Sequence, residues 1–364
     1  MGALLCLAMA LAPTDRTAAQ DAPRDQKDQK DQQEKGVETN AGTVGESSRP
    51  LKYQIGAVGR EDAEEEEATF DHSDTFVPPD RLPIVDRPLP TADEAEAANE
   101  EISVTPDGKI TRKPIPAADA EAFRDMLKKF EAEGATRATT GEEEPVLRPE
   151  SVIGQDTRVR INNTTAYPYR TVGRIDIGCT GTLIGPRHVL TAGHCVYNTD
   201  NDQWYSQLNV SPGQNGASRP YGTINWKRAV TTTKWTKDHD RNYDYAMIVL
   251  AQDIGNTVGT MGFGYNNSLP MYNVNINGYP GDKPSGTMWH SYGALKIIQP
   301  FRLYHDCDTF GGNSGSAVYV FFTSTSQRTI YGIHAYGVDS TGFNGATRIN
   351  KAVYDNLRRW ISTY

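Results

Sequence analysis

Glutamate is missing from residues 151–364, although residues 1–150 hold 19 Glu beside 14 Asp. The later segment is not short of acids: it carries 13, and every one is Asp. Drawn at the earlier ratio, a glutamate-free set of that size has odds of about 1 in 10⁵ by a crude compositional count. Any chemistry directed at glutamate therefore finds no target in this segment. Long apolar runs are also lacking. The one candidate, residues 3–12 (Ala-Leu-Leu-Cys-Leu-Ala-Met-Ala-Leu-Ala), is too short to span a bilayer, which takes about 20 residues. Cysteine is scarce, with four in 364 residues, which excludes a small scaffold built mainly on disulfides.

The charge that is present is unevenly placed. Residues 1–150 carry 18 basic and 33 acidic side chains, a net of −15, whereas 151–364 carry 19 and 13, a net of +6. The run at 3–12 followed by Thr17-Ala18-Ala19 reads as an export signal ending near residue 19, although a basic leader before it is missing. Residues 20–150 then read as an acidic and mostly disordered propeptide. Asp25–Lys30 is a short polar repeat, Glu61–Glu67 is an acidic run, and 78–90 is rich in proline. One helix is predicted at about 118–133, where Phe123, Met126, Leu127 and Phe130 recur at helical spacing. Past residue 150, short β-branched and aromatic segments alternate with Gly, Asn, Pro and Ser, the pattern of an all-β barrel or sandwich. Predicted strands include 171–177, 182–184, 189–191, 245–250, 274–276, 316–322 and 330–335. A C-terminal helix carries Val353, Leu357, Trp360 and Ile361 on one face. Cys179 and Cys195 bracket a strand-turn-strand and suit a disulfide in an oxidising compartment. Cys307 reads as a buried free thiol.

Two strings carry chemistry. Gly311-Gly312-Asn313-Ser314-Gly315-Ser316 presents a serine on a tight turn between glycines, and Thr191-Ala192-Gly193-His194-Cys195 offers a histidine held beside a cysteine. A serine becomes nucleophilic when such a base accepts its proton. The third member should be a buried carboxylate that orients the imidazole, and Asp244, just before the apolar stretch Tyr245–Leu250, fits better than Asp238 or Asp240 in a charged loop. The backbone N–H groups of Gly312 and Ser314 are expected to bind the oxyanion. His72, His188, His239, His290 and His305 lack comparable context and read as ordinary surface or core residues.

The order His194–Asp244–Ser314, with Cys179–Cys195, resembles chymotrypsin-like serine endopeptidases. Finer motifs resemble the bacterial glutamyl endopeptidases: Ser151-Val152-Ile153-Gly154 as a mature start, Asn163–Tyr169, Cys179-Thr180-Gly181, Ile184-Gly185-Pro186, Tyr243-Asp244-Tyr245 and Gly278-Tyr279-Pro280-Gly281-Asp282. The resemblance covers 151–364. It implies a chymotrypsin-like double β-barrel with a C-terminal helix, released from a zymogen by cleavage between Glu150 and Ser151. It also implies a specificity pocket using Thr309, His334 and the freed amine of Ser151.

Selectivity is where the residues pull in two directions. Asp308 stands six residues before Ser314, the spacing at which trypsin keeps the carboxylate that binds Arg or Lys. Against that stand Phe310 in place of trypsin's cysteine, the Thr309 and His334 pair, and a segment free of glutamate yet rich in Lys and Arg. Cleavage after Glu, with Asp second, is the leading expectation. A different specificity, basic or broad, and an inactive protease-like binding module remain as alternatives. The chemistry requires no cofactor and no catalytic metal, and loop carboxylates leave a structural calcium ion open. The expected partners are protein and peptide substrates and the chain's own propeptide, as inhibitor or chaperone, with no nucleic acid or membrane. The expected form is a secreted monomer.

Overall fold

A computed structural model describes residues 100–116 and 151–364, four positions between them (119, 121, 125 and 128), and the backbone of 64–67. In chain order the strands before the catalytic segment are β1 (Glu64–Glu67), β2 (Glu101–Val104) and β3 (Lys109–Lys113). Then come β4 (Val159–Arg160), β5 (Val172–Ile175), β6 (Thr180–Leu183), β7 (His188–Thr191), β8 (Tyr197–Asn198), β9 (Gln203–Trp204), β10 (Val210–Pro212), β11 (Trp226–Thr232) and β12 (Ala246–Leu250). The remainder are β13 (Gly262–Phe263), β14 (Asn273–Gly278), β15 (Trp289–Ile298), β16 (Arg302–His305), β17 (Ala317–Phe322), β18 (Gln327–Tyr336) and β19 (Asn344–Arg348).

These strands make two barrels. The first runs β11-β12-β7-β6-β5-β10, and a bridge between Val210 and Ile224 brings its ends together. Its strand β12, Ala-Met-Ile-Val-Leu, is buried along its whole length. A continuous apolar run of this kind suits a strand covered on both faces. The second runs β18-β17-β14-β15-β16-β19, and direct pairing of β18 with β19 closes it. In residues 151–364 three α-helices accompany the strands: α1 (Thr233–Asp238), α2 (Gly255–Val258) and α3 (Lys351–Thr363). Asn350 caps α3 by accepting the Val353 N–H at 3.0 Å, and Trp360, fully buried, stacks on Tyr245 at 5.6 Å between ring centroids. Burying an aromatic side chain there is worth about 2–3 kcal/mol, which fastens the C-terminus to the first barrel.

The predicted strands all fall on observed ones within a few residues. Past residue 150 the structure adds α1 and α2 to the predicted C-terminal helix, along with strands such as β11, β15 and β19 that the sequence reading did not name. Before it, the four described positions in 118–133 are helical, while Phe123, Met126, Leu127 and Phe130 lie outside the described residues, as does His72. The hairpin β2–β3 was not anticipated. It extends the first sheet, with β2 antiparallel to β11 and β1 beyond β3.

Candidate active site

His194 is held from several directions. Strand β7 ends at Thr191, and a single 3-10 turn at Gly193–Cys195 carries the histidine out of it. Cys195 is disulfide-bonded to Cys179, with the Cα atoms 6.0 Å apart. Glycine at 193 leaves room for this packing: a Cβ there would crowd Asp244 Oδ1 and the Trp235 ring, each at 3.0 Å. Asp244 follows the turn Arg241–Tyr243 and is fully buried just before β12. The His194 backbone N–H donates to its Oδ1 at 2.9 Å, and Nδ1 lies 2.7 Å from Oδ2. Burial pushes the Asp244 carboxyl upward, but the nearby His194 charge and its hydrogen bonds outweigh that and hold it below the usual carboxylate range. A hydroxyl of the second barrel, Thr347 Oγ1, also donates to the Asp244 carbonyl at 2.8 Å.

The serine turn is built from backbone. Asn313 N–H donates to the Phe310 carbonyl, Ser316 N–H to that of Asn313, and Gly315 N–H to that of His334, at 2.9, 2.9 and 2.7 Å. Gly312 and Gly315 sit at φ +104° and +85°, a region that favours glycine. Both ends of the turn are tied to the first barrel. Thr180 N–H donates to the Ser314 carbonyl at 2.9 Å, and Thr180 Oγ1 to that of Gly312 at 2.8 Å. At Gly315 the approach is closer: a Cβ would lie 2.1 Å from Thr191 Oγ1 and 2.2 Å from the Thr180 carbonyl. Ser314 is thus seated against the strand end that delivers His194, with both residues buried.

Beside the turn, Thr309 and His334 are both fully buried. Thr309 Oγ1 has no hydrogen-bond partner among the described residues. His334 Nδ1 lies 3.2 Å from Nε2 of His305. Burial, then the charges of His305 and His194, push the His334 imidazole well below its ordinary value, and burial lowers His305 to about 4. His305 is a core residue, as the sequence indicated, but its contact with His334 was not foreseen. The two strands carrying them both pair with β19, which no local pattern reveals.

The segment that begins at Ser151 reaches the same place. Its N–H donates to Asn344 Oδ1 at 3.2 Å, Asn344 Nδ2 donates back to its carbonyl at 2.8 Å, and Thr309 N–H donates to that carbonyl at 3.3 Å. Asp308 is 3% exposed, and its carboxylate accepts from Ile153 N–H, Thr157 N–H and Thr157 Oγ1 at 2.9, 2.8 and 2.7 Å. It clamps the start of the segment. Arg158, clasped by Asp156 and Asp282, ties the same stretch to the loop after Gly281. Asn344 was missed by the sequence reading, since an asparagine 193 positions from Ser151 gives no local signal.

A buried imidazole–carboxylate pair and a glycine-framed serine, set where two six-stranded antiparallel barrels meet, define a chymotrypsin-like serine endopeptidase. The chain belongs to the trypsin family, whose model matches residues 155–361, and within it to the glutamyl endopeptidases. It is 45% identical over 221 residues to the glutamyl endopeptidase of Bacillus licheniformis, covering 58% of this chain and 69% of that one. A solved structure of a Glu endopeptidase in complex with MPD superposes with a TM-score of 0.54 at 33% identity, covering 58% of this chain and all of the other. Serine protease 23 of Homo sapiens is 28% identical over 309 residues and covers 75% of this chain and 78% of its own. That share is about 273 of 364 residues, more than the 214 that follow Glu150, so the likeness begins upstream of Ser151.

Proposed function

We propose that the chain is a secreted zymogen whose residues 151–364 hydrolyse peptide bonds after glutamate. The observation that carries this reading is the commitment of Asp308 to Ile153 and Thr157, which leaves Thr309 and His334 to meet the substrate side chain. A carboxylate entering a closed pocket loses its water and needs donors in return. Thr309 Oγ1 is such a donor. If His305 Nε2–H donates to His334 Nδ1, the proton of His334 sits on Nε2 and supplies another. Cutting at Glu150–Ser151 adds an ammonium beside Asn344, where an amide now stands.

In the reaction, Ser314 Oγ attacks the carbonyl carbon as His194 takes its proton. Asp244 holds the imidazole with Nδ1–H toward the carboxylate and stabilises the imidazolium. Gly312 and Ser314 N–H groups bind the oxyanion, a contribution typically worth 10²–10³ in kcat per donor. His194 then protonates the leaving amine, and water deacylates Ser314 by the same base. No cofactor enters this sequence. Residues 1–19 act as the signal and 20–150 as the propeptide.

Digestion of a peptide library by the processed enzyme tests the specificity, with cuts after Glu expected to dominate. Cuts after Lys or Arg would overturn it, and no cuts at all would favour an inactive binding module. The Ser314→Ala precursor tests the route of activation: it should stay uncut in the absence of active enzyme.

A further inference from the structure

The hairpin β2–β3 lies in the segment that processing at Glu150–Ser151 would cut from the protease, yet it is built into the first barrel. Val104, Ser103, Ile102 and Glu101 pair with Ala229, Val230, Thr231 and Thr232 of β11, and Thr233 N–H donates to the Glu100 carbonyl at 2.9 Å. Ile102 and Val104, at 3% and 0% exposure, belong to the same apolar core as Val230, Met247 and Trp235. Arg228 Nη1 donates to Ser103 Oγ at 2.7 Å. Glu101, 2% exposed, accepts the Tyr364 hydroxyl and lies 4.0 Å from both Lys113 Nζ and Arg359 Nε. Arg228 and Lys113 in turn stack over the Tyr364 ring at 4.8 and 4.7 Å. Without this hairpin, the Ala229–Thr232 stretch of β11 would present unpaired backbone groups along a sheet edge.

Glutamates are distributed as if to leave the hairpin intact. Glu94, Glu96 and Glu100 precede it, and Glu121, Glu131, Glu133 and Glu142–Glu144 follow it. Its one internal glutamate is Glu101, which is inside the strand ladder and buried. A peptide bond in a ladder is already extended, but its N–H and C=O groups are committed to the neighbouring strands, so it must leave the sheet before a protease cleft can pair with it. The human relative's likeness also begins upstream of the hairpin.

We propose that the hairpin stays bound after activation, so that the working enzyme is two chains: Ser151–Tyr364 and a retained peptide that adds β2 and β3 to the first sheet beside β11. This rests on the cleavage proposed at Glu150–Ser151 and on glutamyl specificity. The peptide begins at Ala95 or Ala97, after Glu94 or Glu96, and it ends at Glu121, Glu131 or Glu133.

The test starts from full-length precursor allowed to process itself, purified by size exclusion, quenched in acid and weighed by mass spectrometry under denaturing conditions. One peptide with those ends per Ser151-initiated chain is expected, and in the native enzyme the β11 amides should resist hydrogen exchange. A Ser151-initiated protease free of the peptide, with exchanging β11 amides, overturns retention and leaves the cleavage reading standing. A single chain that runs from upstream of Glu101 to Tyr364, with Glu150–Ser151 uncut, defeats the cleavage reading and retention together. A Val104→Asp precursor that folds and is processed should lose the peptide; if it keeps the peptide at one per chain, docking through β2 is wrong.

Discussion

Asp308 brings a full carboxylate to within six residues of Ser314, and what that charge faces decides what the neighbouring pocket accepts. Three donors from Ile153 and Thr157 converge on it, so it fixes the chain that leads from Ser151 instead of awaiting a cation. Asp308→Asn keeps the shape but turns an amide toward those donors. It should cost about 1–3 kcal/mol, the usual range for a buried hydrogen-bond group left unpaired. A lower melting temperature and reduced kcat/KM on Glu peptides are expected, with Lys peptides still uncut. Loss of a pre-existing Lys activity in the variant would mean that Asp308 faces substrate after all. The sequence alone could place Asp308 but not its partners, because they lie about 150 residues away. His194, Asp244 and Ser314 were legible because their surroundings, an apolar strand end or a glycine turn, are local and visible.

Among the elements, strands with a continuous apolar run, such as β12, were readable from composition. Strand β15 was not: His290, Ser291, Tyr292 and Lys296 dilute it, since the strand, paired on both sides, is only partly buried along its length. Strand β2 was hidden for a different reason. A glutamate inside an acidic segment reads as solvated, and only the pairing with β11 and the contact with Tyr364 show that Glu101 is buried. The 3-10 turn of His194 depends on the covalent link from Cys195 to Cys179, a closed loop with a sequence separation of 16. Replacing both by serine should cost about 3 kcal/mol on the chain-entropy account. Because the imidazole loses its anchor, kcat should fall more than KM rises. Thermal melting and steady-state kinetics on one Glu substrate would check both.

For the molecule as a whole, buried imidazoles set the acid limit. His188 and His305 are both lowered to about 4 by burial, whereas an unfolded histidine titrates near 6.5. Between those values the unfolded chain binds more protons than the native one, so stability increases with pH and is lost as pH falls from about 7 toward 4. Each site should cost about 2 kcal/mol at pH 5 relative to neutrality. His188, whose ring nitrogens have no hydrogen-bond partner among the described residues, offers a check away from the pocket. In His188→Leu, the drop in urea midpoint between pH 7 and pH 5 should shrink by about half of what the two sites contribute together; an unchanged drop would rule His188 out as a source. The contact at Gly315 has a consequence of another kind. With bare backbone against Thr191 and Thr180, the two barrels already touch and have no clearance left. Thermal motion can open that seam but cannot tighten it, so errors in the spacing of nucleophile and base run in one direction only, toward a gap.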